Sequence, residues 1–305
     1  MPIDFRFWAG KSVLITGHTG FKGTWLLKTL VALGAEVSGY SLVPPTNPNI
    51  FDTSEAVKDL HHHIIGDICN VKQLRDAFVK VKPDVLFHMA AQPIVTLGYD
   101  KPLETFDVNV MGTANVLNEA RWMQAGAPLI VVSSDKCYLN MNHGRAFIET
   151  DHLGGHDPYS ASKAGTEIVA SAFQNSYFSA EDSPRLATAR AGNVIGGGDW
   201  AKNRLIPDLA RSYQNNQSMN LRMPHATRPW QFVMEPLMGY VLLAQALAEN
   251  PSFSGAWNFG PSETKSQKVS DVIKAICECW EAPPNIHISS PIEVGPEAET
   301  LAVNS

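Results

Sequence analysis

Ser12-Val13-Leu14-Ile15-Thr16-Gly17-His18-Thr19-Gly20-Phe21-Lys22-Gly23 is the stretch whose reading decides the fold. An apolar run of strand length enters a glycine-punctuated turn. A helix-period stretch follows, with Leu26, Leu27, Leu30 and Leu33 on one face and Gly34 at its end. Strand, glycine turn and helix, in that order, is what a dinucleotide fold requires. Glycines let the backbone approach a pyrophosphate, and the helix N-terminus presents unpaired N–H groups at the positive end of its dipole. The triplet Gly17-x-x-Gly20-x-x-Gly23 departs from G-x-G-x-x-G by one residue in its first spacing. Its flanks and its place at the first strand still read as a cofactor cradle.

Outward from that turn the pattern repeats. Strands are expected at 35–40, 63–65, 84–89, 129–134 and 186–190, and helices at 73–81, 109–121 and 158–173, the last opened by Pro158. Strands alternating with helices imply right-handed crossovers and a parallel sheet covered on both faces. The fold class is therefore α/β, a Rossmann-type doubly wound parallel sheet. After Asn193 the elements shorten and are separated by Pro and Gly, beginning with Gly196-Gly197-Gly198-Asp199-Trp200. This divides the chain into a dinucleotide-binding domain over 1–193, with part of 229–250 returning to it, and a smaller α/β substrate domain over 194–305.

Composition excludes other classes. The 305 residues are 44% hydrophobic and 18% charged, which is globular. Net charge is 24 − 30 = −6 without a Lys/Arg run, so no nucleic-acid partner is expected. No apolar run approaches the roughly 18–20 residues that span a bilayer, so no membrane partner is expected either. Residues 1–8 lack the basic segment and apolar core of a signal peptide. Four cysteines, at 69, 137, 277 and 279, do not make a disulfide framework and suit a reduced, cytoplasmic chain. No metal site is expected.

Tyr159-x-x-x-Lys163 lies within a predicted helix, and a spacing of four puts both side chains on one face. A phenol has an ordinary pKa of about 10, and a nearby ammonium favours its ionised form, making Tyr159 an acid/base. Ser133-Ser134 ends the preceding strand, where a hydroxyl can orient a substrate alcohol. The second strand ends Gly39-Tyr40-Ser41-Leu42, with neither an acid for an adenosine ribose nor an Arg for a 2′-phosphate. NAD is favoured over NADP, and Asp67 is a candidate for the adenine edge or, alternatively, a strand-end cap.

On these residues the chain resembles the extended short-chain dehydrogenase/reductases that act on nucleotide sugars. The resemblance also rests on His88-Met89-Ala90-Ala91-Gln92, Asn109-Val110-Met111-Gly112-Thr113 and Arg190-x-x-Asn193-Val194. It implies that Gly17, His18, Gly20, Phe21, Lys22, Gly23, Asp67, Ile68, Ala90, Ala91, Gln92, Asn109, Tyr159 and Lys163 bind NAD. It also implies that Asn193 contacts the sugar-nucleotide phosphates.

Longer stretches resemble one branch, the CDP-glucose 4,6-dehydratases. They are 17–23, Ser134-Asp135-Lys136-Cys137-Tyr138, 153–159, 190–200 and Arg228-Pro229-Trp230-Gln231. The thymidine-nucleotide dehydratases have Asp-Glu where this chain has Asp135-Lys136. The resemblance implies a redox-neutral lyase with Ser134, Asp135, Lys136, Tyr159 and Lys163 as catalytic residues. Tyr159 would take the C4 hydroxyl proton during oxidation. Asp135 and Lys136 would share the acid and base work of losing water across C5 and C6, and hydride would return to C6. Arg204 and Arg228 are candidates for the substrate pyrophosphate, whose geometry suits a guanidinium fork. A homodimer through a four-helix interface is implied, with Leu117 and Ile168 as candidates at it.

The chain departs from the branch at Thr96, where Arg is usual, and at Phe232, where His is usual. It also lacks a tryptophan-rich stretch over 140–147. Glu299 to Ser305 reads as the entry to final helices that do not follow, so a truncated C-terminal end is expected. The alternatives are an epimerase, a dehydratase for another nucleotide, or a homologue that binds NAD without turnover.

Overall fold

A computed structural model describes residues 2–142, 144–221, 223–261, 267–288 and 300–305. His143 and Glu299, which fall in stretches singled out above, lie outside the described residues. Seven parallel strands form the central sheet: β1 (Ser12–Thr16), β2 (Glu36–Ser41), β3 (His62–Ile65), β4 (Val85–His88), β5 (Pro128–Val132), β6 (Arg185–Ala191) and β7 (Gly255–Phe259). Their spatial order is β7-β6-β5-β4-β1-β2-β3. The order reverses between β1 and β4, so the C-terminal ends of those two strands diverge into a crevice where ligands of such sheets bind.

The helices that cover the sheet follow from apolar periodicity. They are α1 (Phe21–Ala32), α2 (Val71–Val81), α3 (Gly112–Ala120), α4 (Pro158–Tyr177) and α5 (Met234–Glu249). One face of the sheet packs Leu26, Leu27 and Leu30 of α1 with Leu237, Tyr240, Val241 and Leu247 of α5. The other packs Leu74 and Phe78 of α2 with Val116 and Leu117 of α3 and Ala170 of α4. Helix α5 thus covers the sheet from within 229–250, while the seventh strand, β7, lies beyond the stretch expected to return.

The expected helix over 109–121 is built differently. Helix Pro102–Phe106 runs through a π-helical turn, Asp107–Met111, before continuing as α3. The wider turn holds Asn109 inside it, and such turns often mark functional positions.

Beyond β6 a smaller unit has its own core of Leu209, Met219, Leu221, Ala226, Val269 and Ile273. It carries helices Leu205–Gln214 and Val269–Cys277 and two-stranded pairs, among them Met219–Leu221 with Ile286–Ile288. Residues 300–305 lie against the loops beyond the sheet. Val303 pairs with Phe147, and Leu301 and Val303 pack with Cys137, Tyr138 and Phe147. Among the described residues, no helix is long and apolar enough to cross a membrane.

Candidate active site

The glycine turn sits at the C-terminal end of β1, beside the end of β4. Gly17 has φ +81°, and a Cβ there would lie 2.7 Å from the Ala90 nitrogen. A Cβ at Gly23 would lie 2.1 Å from the Gly17 carbonyl oxygen. Both glycines are required by close backbone approach. Gly20 is the N-cap of α1, makes no side-chain cap hydrogen bond, and would meet only the Gly17 oxygen at 3.4 Å. The helix therefore presents its first N–H groups uncapped, in a cradle of the kind that receives a pyrophosphate. These residues fit a dinucleotide.

His18 and Lys22 do not line the turn as simple backbone spacers. The His18 ring is buried, its Nε2 lies 2.9 Å from His63 Nδ1, and desolvation with the nearby His63 lowers its pKa to about 3. Lys22 Nζ donates to Tyr240 Oη at 3.0 Å. Burial, aided by Arg204 and Lys163, lowers its pKa to about 7. Phe21 packs against the core beneath the turn.

Asn109 is the hub of the wall next to the cradle. Its Oδ1 accepts from the Gln92 amide at 2.8 Å, and its Nδ2 donates to Ser162 Oγ at 2.8 Å. Ala90, next to Ala91 in the chain, lies against Gly17, and its backbone N–H donates to Thr16 Oγ1 at 3.3 Å. His88 bridges Thr16 Oγ1 at 2.7 Å and Thr113 Oγ1 at 3.1 Å, and burial lowers its pKa to about 3. Asp67 Oδ1 accepts from the Cys69 amide at 2.9 Å, which is the cap geometry. Ile68 is buried against Gly112, where a Cβ would meet it at 2.5 Å.

The chemistry-bearing groups converge beyond β5. Ser134 caps the short 3-10 turn Asp135–Cys137, its Oγ accepting from the Lys136 amide at 3.2 Å. Asp135 is 1% exposed; its Oδ1 accepts from Ser134 Oγ at 3.0 Å and Lys136 Nζ at 3.2 Å. Asp135 Oδ2 is buried without a described partner, as is Asn193 Oδ1. Unpaired buried oxygens are costly and mark places that await a donor. The Lys136 side chain is 24% exposed, so it reaches from the carboxylate toward solvent.

Tyr159 and Lys163 stand on the first turns of α4, both buried. Gly98 lets the short helix Val95–Asp100 rest on this end, since a Cβ there would come within 3.2 Å of the Tyr159 nitrogen. Burial raises the Tyr159 pKa, opposed by the charges of Lys136 and Arg204 and by a hydrogen bond with Ser134. Lys136, from another loop, is thus the foremost charge favouring the phenolate. Burial lowers the Lys163 pKa to about 8, against the pull of Glu167.

Arg204 Nη1 is paired with Asp199 at 3.0 Å, close enough to the cluster to act on Lys22 and Tyr159. Arg228 is buried and donates to the Thr227 carbonyl. Thr96 Oγ1 accepts from Asn203 Nδ2 at 3.0 Å, a contact joining helix Val95–Asp100 to the loop before Leu205–Gln214. Phe232 lies edge-on to Trp25 and half exposed. Two members of the site escaped sequence reasoning: Tyr240, one apolar-spaced residue among many in α5, and Glu167, an isolated acid on α4.

Comparison with known proteins follows the same outline. CDP-glucose 4,6-dehydratase of Salmonella typhimurium is 46% identical over 283 residues, 91% of this chain and 79% of that one. A probable dTDP-glucose 4,6-dehydratase of Sinorhizobium fredii is 30% identical over 54% of this chain and 49% of its own length. Among solved structures, the Thermus thermophilus UDP-glucose 4-epimerase complex with NAD has TM-score 0.81, with 96% of this chain and 90% of that chain covered at 23% identity. The dTDP-glucose 4,6-dehydratase DesIV of Streptomyces venezuelae has TM-score 0.79 at 19% identity, covering 96% and 88%. Those two structures establish likeness of fold. With residues 14–256 matching GDP-mannose 4,6 dehydratase, and with a relative this similar across its length, the chain belongs to that dehydratase family.

Proposed function

We propose that the protein is an NAD-dependent 4,6-dehydratase that converts CDP-glucose to CDP-4-keto-6-deoxyglucose. The observation that carries this reading is the buried Asp135, held by Ser134 and Lys136 while its other oxygen, beside Gly192, is buried without a described partner. An epimerase has no use for a carboxylate and an ammonium 3.2 Å apart next to the oxidising tyrosine. Loss of water needs both, one to protonate the C6 oxygen and one to take the C5 proton.

The glycine cradle of α1 would hold the dinucleotide pyrophosphate, and Lys163, Asn109 and Gln92 would border its nicotinamide end. NAD, when bound, supplies a hydride acceptor that is restored at the end of each cycle, so the net change is loss of one water. Ser134 Oγ orients the C4 hydroxyl, and Tyr159 Oη takes its proton as the C4 ketone forms; that proton finally replaces the one Asp135 gives to the leaving water. The charges of Lys136 and Arg204 ease that transfer against the burial that resists it. A proton passes from Lys136 to Asp135 along their 3.2 Å hydrogen bond before the elimination, which makes Asp135 the acid at the C6 oxygen and Lys136 the base at C5. Asn193, Arg204 and Arg228 contact the substrate phosphates from the smaller unit. Enclosure of Asp135, Tyr159 and Lys163 keeps water from a reactive unsaturated ketone.

Two copies are proposed to pair through helices 102–111 and α4. Leu103, Phe106, Met111 and Ile168 are exposed there, whereas Leu117 is fully buried in the core and takes no part. The cytoplasm is the proposed compartment, since all four cysteines are unpaired. Incubation with CDP-, UDP-, GDP- and dTDP-glucose, with mass analysis of each product, tests the substrate. CDP-glucose should lose one water fastest. Unchanged mass with altered sugar configuration would indicate an epimerase, and no change in any substrate would defeat the reading.

A further inference from the structure

We infer that Glu167 and Arg190 are positioning residues, a buried ion pair that grips the catalytic turn from both ends and so sets where Ser134, Asp135 and Lys136 stand. The inference rests on the dehydratase reading above. Glu167 lies on α4 and Arg190 on β6, at 3% and 4% side-chain exposure, with Arg190 Nη2 donating to Glu167 Oε2 at 2.8 Å. Glu167 Oε1 accepts from Ser133 Oγ in a short contact, and Oε2 also accepts from Thr188 Oγ1 at 2.8 Å. Ser133 immediately precedes the turn. On the far side, Arg190 Nη1 donates to Tyr138 Oη at 2.8 Å, and its guanidinium lies 4.9 Å from the Tyr138 ring centre. Tyr138 immediately follows Cys137. Tyr138 Oη in turn donates to Asn258 Oδ1 of β7 at 2.6 Å.

A buried ion pair is a poor device for stability alone, because desolvation offsets most of its attraction. Here each ion also hydrogen-bonds a residue that flanks the turn, Glu167 to Ser133 and Arg190 to Tyr138, beside bonds to Thr188 Oγ1 and the Glu149 carbonyl. Glu167 also stands one helical turn beyond Lys163, and its charge favours the protonated ammonium against burial. Cys137 also adjoins Lys163, and Lys163 in turn acts on His88 and Lys22. Of these groups, Glu167 is the acid on its own helix. One pair therefore serves both the geometry of the turn and the charge state of Lys163.

The test compares Glu167→Gln, Glu167→Asp and Ser133→Ala with the unaltered protein. CDP-glucose turnover is measured across pH, and thermal unfolding in parallel. Glu167→Gln is expected to lower kcat by about tenfold to a hundredfold, the scale of a small misplacement of catalytic groups, with KM changed less than about twofold. The alkaline fall of kcat should move to lower pH by about one pH unit, because Lys163 loses a favourable charge. Glu167→Asp should restore the position of that fall while leaving kcat low. Ser133→Ala leaves the ion pair intact and should lower kcat about threefold or more without moving the fall. It keeps the inference testable if Glu167→Gln does not fold. Lowered melting temperature with unaltered kcat and pH profile would make the pair merely structural and overturn the inference. An unaltered protein that removes no water from CDP-glucose would defeat the dehydratase reading. A working protein indifferent to Glu167→Gln and Ser133→Ala would defeat the positioning role alone.

Discussion

Asp135→Asn separates the two halves of the proposed chemistry. The substitution is nearly isosteric. Asn Oδ1 can still accept from Ser134 Oγ and Lys136 Nζ, now at 3.0 and 3.2 Å, so the turn should keep its shape. The new amide group would occupy the place of Oδ2, next to Gly192, where a Cβ would come within 3.1 Å. Unit charges 3.2 Å apart attract by about 5 kcal/mol at an effective dielectric constant of about 20. Lys136 is partly exposed, so solvent screening reduces the loss on neutralising Asp135 to about 1 kcal/mol. The effect on chemistry is larger. Removing a positioned proton donor slows its step by about 10²–10⁴-fold, or about 3–5 kcal/mol of barrier. Oxidation at C4 depends on Ser134 and Tyr159 and should continue. Rapid-quench mass spectrometry should then show a nucleotide sugar lighter by two hydrogens, with water loss slow. Dehydration at the rate of the unaltered protein would refute the acid assignment, and loss of C4 oxidation as well would place Asp135 in the first step.

Tyr159→Phe should abolish C4 oxidation, so that neither the ketone nor the dehydrated product forms in the same quench experiment. Gly23→Ala puts a methyl group 2.1 Å from the Gly17 carbonyl, and calorimetric titration should show NAD affinity falling at least about tenfold. His88 and His18 each have a folded pKa of about 3 against an ordinary value near 6.5. Above pH 6.5 both states are neutral and nothing is lost. Below it the unfolded chain binds protons that the folded chain refuses, so stability falls as pH drops toward 3. The slope is about 1.4 kcal/mol per pH unit for each ring, or about 2 kcal/mol each by pH 5. Chemical denaturation at pH 7 and pH 5 checks this, and equal stabilities would refute it. Ile168→Glu should yield monomers in light scattering, since Ile168 is 58% exposed at the centre of the proposed pairing face.

Elements whose signal is local were legible in the chain. The strand Ser12–Thr16, the turn with its glycines and α1 are written in twelve consecutive residues and the leucines that follow. Tyr159 and Lys163 announce themselves by a helical spacing, and Ser134-Asp135-Lys136 by adjacency. Elements that depend on distant partners were not legible. β7 has no alternation of its own and becomes a strand because β6 offers it an edge from Ala187 to Ala191. The π turn around Asn109 is set by what Asn109 reaches, the Gln92 backbone and Ser162, rather than by its own sequence.

The sequence by itself determined which groups are available: a glycine turn that opens a helix, a tyrosine one helical turn from a lysine, and a carboxyl next to an amine. Those follow from residue type and short-range spacing, which chain connectivity enforces. Only the tertiary structure decided which charges act on which groups. It brought Lys136 and Arg204 near Tyr159, gave Lys22 to Tyr240, and set Glu167 against Arg190 behind the turn at 135–137. Electrostatic influence depends on distance through space and on burial, and neither can be counted along a chain.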